Sequence, residues 1–220
     1  MPFVADGTGD PRLGLRERKK QRTRAMLLDA AIELCQRQGF ERTTVDQIAA
    51  IADVSPRTFS RYFATKDAIA FALIDEAIDV AAVELAGQPE GISHLEALHR
   101  AYVGMYNNAK SSAGPGGLSA DRLICSVRII MTSPALRQAA LEYRPHAVNV
   151  ELAKRMGVGT DDRALRLVSS VWGAIIMTAL ADLGDNQLDW EQVGIDDIVA
   201  RLDDTFAEFT GLMSEVVELV

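Results

Sequence analysis

Two cysteines and three histidines in 220 residues leave little material for metal or redox chemistry, and their spacing removes most of the rest. Cys35 and Cys125 fall on separate apolar helical patterns with no CxxC or Cys/His pair. Two buried, reduced thiols of a cytoplasmic protein are therefore expected. His94, His99 and His146 form no ligand-like cluster, and His94 and His99 are five apart instead of stacked at i,i+4. No metal and no cofactor are expected. Also absent are a Gly-x-Ser-x-Gly elbow and a His-Glu-x-x-His helix, which argues against an enzyme. The loop Gly114-Pro-Gly-Gly117 is not followed by Gly-Lys-Ser/Thr and so is no phosphate cradle. The most apolar segment, 167–181, is too short to span a bilayer. The first fifteen residues carry Pro, Gly and Asp without an apolar run, so neither a secretory signal nor a membrane role is expected.

What remains is a chain with 48% hydrophobic and 25% charged residues, the balance of a soluble globular protein. Its net charge of −8 argues against a nucleic-acid partner when taken as an average. The distribution argues the opposite. From Arg12 to Lys66 there are 12 Lys+Arg against 6 Asp+Glu, whereas from Asp67 onward there are 11 against 23. A basic head on an acidic body suggests that one region meets a polyanion which the other repels.

The organisation reads as all-α: an arm over 1–15 expected to be disordered, a basic helical unit over 16–65, and a second helical domain over 66–220. Arg16 to Arg24 places six cations in nine residues, followed by an apolar stripe at Leu27, Leu28, Ala31, Ile32, Leu34 and Cys35. Gly39 reads as the stop, with Phe40 as the following apolar contact. Thr44-Val-Asp-Gln47 has the form of a capping box. Val45, Ile48, Ala49 and Ala52 make a second stripe, Ala52-Asp53-Val54 a turn, and Ser55-Pro56 an N-cap followed by proline at the first helical position. In the helix that follows, Phe59 and Phe63 point inward together, leaving Arg57, Thr58, Ser60, Arg61 and Tyr62 outward or at the flank. Two short helices across a tight turn form a helix-turn-helix, whose second helix enters the major groove.

These residues resemble a known family. A basic first helix ending in Gly39-Phe40, then Thr43-Thr44, Ile48-Ala49, Val54-Ser55, Thr58-Phe59, Tyr62-Phe63 and Lys66, is similar to the N-terminal domain of tetracycline-repressor (TetR) family regulators over 16–75. The resemblance implies that Thr44, Ser55, Arg57, Thr58, Ser60, Arg61, Tyr62 and Lys66 lie at or near operator DNA. Arg57 and Arg61 would read bases, and Thr44, Tyr62 and Lys66 would hold phosphate. The pattern departs at Ser60 and Tyr62, where family members commonly carry Tyr and His. It also implies a repressor that a small, usually hydrophobic effector releases from a palindromic operator.

From Thr65 onward the chain reads as helix after helix. Thr65 opens one to about Ala86 with Ile69, Leu73, Ile78 and Val83 apolar. Ser93 to Glu96 has capping-box form, Ser133-Pro134 starts a helix that Pro145 should kink or divide, and Thr160 is the expected cap of a segment running to Leu183. Between Arg166 and Asp182 that segment carries no charge, and the final helix from Ile195 is apolar at Ile198, Leu202, Phe206, Phe209, Met213, Val216 and Val220. This apolar surface exceeds what one small body needs, so a homodimer through the last two long helices is expected. Tyr102, Tyr106, Met131, Tyr143, Trp172 and Met177, with Arg122, Arg128 and Asn107 as polar handles, are the expected lining of an effector pocket. The effector, a lipid-like molecule, an acyl-CoA thioester or an aromatic compound, stays open. The competing reading is an all-helical protein-interaction module, which would bind without salt dependence and without use of the basic first helix.

Overall fold

The structure, a computed structural model, describes residues 14–111, 118–141, 146–184, 190 and 192–218. Ten α-helices and one 3₁₀ turn, with no strand, occur among the described residues. No helix among them is long and apolar enough to cross a membrane. The arm before residue 14, the Gly114–Gly117 loop, Tyr143, Pro145 and Val220 lie outside the described residues.

Local chemistry sets the first four helices. α1 (Leu15–Gln38) ends where Gly39 takes φ +80° and its N–H returns to the Cys35 carbonyl, placing Phe40 in the core. α2 (Val45–Ile51) opens on the capping box: the Thr44 hydroxyl accepts from the Gln47 N–H while the Gln47 side chain accepts from the Thr44 N–H at 2.9 Å. Asp53, at φ +52°, turns the chain between the two short helices. Ser55 caps α3 (Pro56–Tyr62) by accepting from the Thr58 N–H at 3.1 Å. Phe59 and Phe63, with ring centroids 5.7 Å apart, are buried under α3 against α1, α2 and the start of α4.

α4 (Lys66–Ala86), capped by Thr65, belongs to two cores. Its first half, Ile69, Ala70, Ala72 and Leu73, completes the core under the helix-turn-helix. Its second half, Ala81, Ala82 and Leu85, enters the core of the body with α5 (His94–Ser111), α8 (Ala147–Met156), α9 (Arg163–Ala179) and α10 (Ile195–Glu218). Val83, expected on the buried stripe, is instead 72% exposed, because small alanines occupy the face on which α5 and α8 approach. At Gly104 of α5 a Cβ would lie 2.9 Å from the Glu84 carboxylate of α4, so a side chain there would make Glu84 shift. α6 (Ala120–Thr132) is likewise shared: Leu123, Val127 and Met131 face the body core, and Cys125 and Ile129 face α1. Cys35 and Cys125 are free, buried and hydrogen-bonded to each other. That bond holds the Cys35 thiol below its ordinary range and pushes Cys125 above it.

α7 (Pro134–Leu141) and α8 are separate helices, in keeping with the division expected at Pro145. Two local expectations change. Glu96 receives only half a capping box: its N–H donates to Ser93, but its carboxylate accepts from Arg100 one turn on, at 2.6 Å. Asp162, not Thr160, caps α9, its carboxylate accepting from the Ala164 N–H at 2.7 Å. A 3₁₀ turn, Ala181–Gly184, follows α9.

The aromatic pair under α3 holds the motif together. Replacing Phe59, which is 1% exposed, by alanine should lower unfolding free energy by about 3–5 kcal/mol in urea titrations followed by circular dichroism.

Candidate DNA interface and effector cavity

The exposed face of α3 is cationic and unneutralised. Arg57 and Arg61 are exposed, and neither has an acidic partner among the described residues. With Thr58 and Ser60 they line one shallow surface depression. Arg61 lies over the Tyr62 ring, 5.5 Å from its centroid, which orders both side chains at the edge of the helix. The Ser60 hydroxyl donates to the Pro56 carbonyl at 3.1 Å, so only its lone pairs face outward. Thr58 shares a hydrogen bond with the Ser55 hydroxyl at 3.0 Å. Thr44 and Ser55 are both exposed at helix N-termini, where free N–H groups and the helix dipole favour phosphate. On α1, Arg16, Arg18, Lys19, Lys20 and Arg22 are exposed, and among the described residues only Lys20 of these has an ion partner, Glu17 at a loose 3.9 Å.

Lys66 is placed differently from the phosphate-holding role its position suggests. Its ammonium donates to the carbonyls of Phe40 at 3.1 Å and Glu41 at 3.3 Å and sits 4.6 Å from the Phe40 ring centroid. Two of its three donors thus tie the start of α4 to the loop between α1 and α2.

The body holds a partly open cavity of about 410 Å³ walled by α4, α5, α6, α8 and α9. Its lining is mostly apolar: Phe71, Ile74 and Ile78 from α4, Leu98 and Met105 from α5, Leu123, Val127 and Ile130 from α6, Leu152 from α8, and Ile176 and Met177 from α9. Tyr102, Tyr106 and Trp172 add aromatic surface, while Ser126, Asn149 and Ser169 are polar. Burial pushes the Tyr102 hydroxyl up to about 12 and Tyr106 higher still, so both phenols keep their protons at any physiological pH. Asp75 and His146, paired at 3.3 Å, are the only charge-bearing types in the lining among the described residues.

Tyr102, Tyr106, Trp172 and Met177 line the cavity as the sequence suggests, but Arg122, Arg128 and Met131 do not. Met131 is fully buried in the body core. Arg122 and Arg128 face the other way because α6 has two faces, and both bind α1. Arg122, 7% exposed, pairs with Asp29 of α1 and, at 2.6 Å, with Glu76 of α4. Glu76 also accepts from Arg24 of α1 at 3.2 Å. Arg128 donates to the Cys35 carbonyl at 3.1 Å, near the end of α1. Asn107 is exposed and off the cavity. Sequence reasoning placed no lining residue on α4 or α8, which supply Ile78 and Asn149 among others, and it missed further lining on α6 and α9; no periodicity marks a wall shared by five helices.

A helix-turn-helix with a free cationic second helix presents side chains to the edges of bases, and the fold thereby defines a sequence-reading DNA-binding protein. Comparison with known proteins narrows the class. Residues 27–73 match bacterial regulatory proteins of the tetR family. Over 161 residues the chain is 37% identical to the HTH-type transcriptional regulator TcmR of Streptomyces glaucescens, a match covering 68% of this chain and 67% of that protein. A shorter match, 36% identical over 85 residues, relates 39% of the chain to 34% of the HTH-type transcriptional regulator HbdR of Aromatoleum sp. (strain CIB). Among solved structures, the Thermus thermophilus repressor FadR in complex with lauroyl-CoA aligns over 84% of this chain and 91% of its own, at 20% identity and a TM-score of 0.47. The chain belongs to the TetR family and is a DNA-binding transcriptional regulator.

The different settings of the two cations at the motif's ends separate in stability. Lys66→Ala should lower the denaturant midpoint by an amount equivalent to about 1–2 kcal/mol, through loss of its hydrogen bonds to the loop. Arg57→Ala should leave stability within about 0.5 kcal/mol.

Proposed function

We propose that the protein is a ligand-responsive repressor that binds a palindromic operator as a homodimer in the cytoplasm and leaves it when a small apolar molecule fills the cavity. The observation that carries this reading is that α4 and α6 each wall the cavity on one face and hold α1 on another. A molecule that displaces either helix must therefore disturb the seat of the helix-turn-helix. By linkage, such a ligand favours the DNA-incompetent arrangement only as far as it binds that arrangement more tightly.

At the DNA, Arg57 and Arg61 are assigned to base edges, where a guanidinium takes guanine O6 and N7 together. Thr44, Ser55, Thr58 and Tyr62 are assigned to phosphate and to the flank of the groove, along with the exposed cations of α1. Ser60, its proton engaged within the helix, accepts only. Lys66 contributes its one remaining N–H and the placement of the Phe40–Glu41 loop.

The homodimer reading draws on the uncovered surface of the last helices. Leu167, Ser170, Ala174 and Thr178 share one exposed face of α9, and Leu167 is 65% exposed. On α10, Ile198, Leu202 and Phe206 are buried against the body, whereas Leu212 and Met213 are 53% and 44% exposed. A second copy packing α9 and α10 against the same face would cover these side chains and set two α3 helices toward half-sites roughly 34–36 Å apart.

Fluorescence-anisotropy titration of operator DNA tests the interface. Affinity should fall steeply with salt, with a log–log slope of about −0.9 per phosphate neutralised. Arg57→Ala should cost about 1–3 kcal/mol on the operator and relax sequence preference, whereas Lys19→Ala should weaken all sequences alike and flatten the slope. Salt-independent binding, or an unaltered preference after Arg57→Ala, contradicts the assignment. A second measurement addresses the coupling. With Arg122→Met, a cavity ligand should still bind but should shift operator affinity less than in the wild type.

A further inference from the structure

The cavity contains hydrogen-bond donors without acceptors. Tyr102 and Tyr106 stand one turn apart on α5 and both line it. Among the described residues neither hydroxyl meets a protein acceptor in hydrogen-bonding geometry. Behind Tyr102 lies Trp172, 4% exposed, whose indole N–H is buried with no partner. The indole stands edge-on to the Tyr102 ring, with centroids 5.3 Å apart; it is near enough to act on the phenol's ionisation but makes no hydrogen bond of full geometry. Its orientation is fixed from outside the cavity, since its ring also stands edge-on to His99 at 6.4 Å and to Phe206 at 6.2 Å. His99 in turn stacks on Phe206 at 4.3 Å and bonds Asp203 of α10 at 2.8 Å. A buried donor left unsatisfied costs about 1–3 kcal/mol, so the Trp172 N–H, set beside two phenols with no protein acceptor among the described residues, marks a surface shaped for something not supplied by the chain.

The same lining sets the charge of that missing partner. Among the described residues it contains no Lys or Arg, and its one cationic candidate there, His146, is paired with Asp75. A carboxylate or phosphate brought among these phenols would lose its hydration and meet only neutral donors, with the Asp75 carboxylate nearby to repel it. A neutral oxygen of a ketone, ester or amide faces neither difficulty.

Resting on the effector-cavity reading above, we propose that the effector is an uncharged, largely apolar molecule carrying a carbonyl-type acceptor oxygen, recognised by the Tyr102 and Tyr106 hydroxyls. In the complex each phenol donates toward the ligand. Tyr102, once oriented, turns a lone pair to the Trp172 N–H, so the indole, the phenol and the ligand form one chain of hydrogen bonds. The apolar walls supply most of the affinity, and the phenols select the oxygen.

Ligand-observed NMR titrations of the full chain test this with three probes on one skeleton: tetralin, 1-tetralone and tetralin-1-carboxylate. In Tyr102→Phe/Tyr106→Phe the ratio of tetralone to tetralin affinity should fall about three- to tenfold from its wild-type value, the worth of roughly one neutral hydrogen bond. Tetralin binding itself should stay unchanged, which separates recognition from damage to the cavity. Trp172→Phe should lower the ratio in the same direction by less. The carboxylate should bind wild type at least about tenfold more weakly than the ketone. An unchanged ratio in the double variant, or a carboxylate that binds as tightly as the ketone, overturns this inference alone. Failure of all three probes to bind wild type overturns the apolar-cavity reading, and this inference with it.

Discussion

The constraint on which the other parts depend is the buried guanidinium of Arg122. It is nearly inaccessible to water, and it is stable there only because Asp29 and Glu76 both meet it. Removing either carboxylate would leave an undercompensated charge, the situation that destabilises a protein far more than a missing surface pair. The three residues come from α6, α1 and α4, so their geometry fixes how the helix-turn-helix sits on the body. Arg24 extends the network: its guanidinium binds Glu76 and lies 5.5 Å from the centroid of the Phe63 ring, just beyond the C-terminus of α3. The joint thus reaches the recognition helix through two side chains.

That arrangement makes α4 and α6 two-sided in function as well as in packing. Glu76 faces α1, while Ile74, Ala77 and Ile78 beside it wall the cavity. Arg122 faces α1, while its neighbour Leu123 walls the cavity. Magnitudes show what a ligand must contribute. Reversing a two-state equilibrium from 1:99 to 99:1 takes a differential of about 5.5 kcal/mol. Burial of about 200 Å² of apolar ligand surface is worth about 5 kcal/mol, whereas a neutral hydrogen bond adds only about 0.5–1.5 kcal/mol. Apolar contact is therefore large enough to drive the shift, provided the walls close on the ligand in one state and not in the other. The phenols are too weak to drive it and strong enough to discriminate.

The DNA-binding end was far more legible in the sequence than the cavity, for physical reasons. Caps, turns and helix stops are local: Thr44 with Gln47, Ser55 with Pro56, and Gly39 before Phe40 each act within a few residues, so their spacing states their structure. The cavity is a void among five helices, and a residue lines it by virtue of what fails to pack against it. Arg122 and Arg128 looked like polar handles for a ligand because arginines on an apolar helix suggest a polar target. The target exists, but it is Asp29, Glu76 and the Cys35 carbonyl, which long-range packing brings to α6. The α10 stripe was read as one surface and divides in two, Ile198 to Phe206 for the body and Leu212 to Met213 uncovered, because a helix of 24 residues outruns the core it packs on. Lys66 shows a different limit: the carbonyls of Phe40 and Glu41, 26 and 25 residues away in the chain, take two of its three donors, which local spacing could not show.

The acidic body need not weaken a basic head, and the length of α1 explains why. Arg22, the last exposed cation of the run over 16–24, precedes Asp29, where Arg122 of α6 first meets α1, by about 10 Å along the axis at 1.5 Å per residue. It precedes Cys35, where Cys125 and Arg128 meet α1 again, by about 20 Å. In physiological salt the Debye length is about 8 Å, so exposed charges separated by more than that are largely screened from one another. The field at the DNA is then set by Arg57, Arg61 and the first turns of α1, while the negative body acts on orientation, penalising any approach that presents the wrong end to a phosphate backbone. Segregating charge along one long helix lets a protein of net charge −8 bind a polyanion at one end, and it ties specificity of approach to the same helix that Arg122 holds in place.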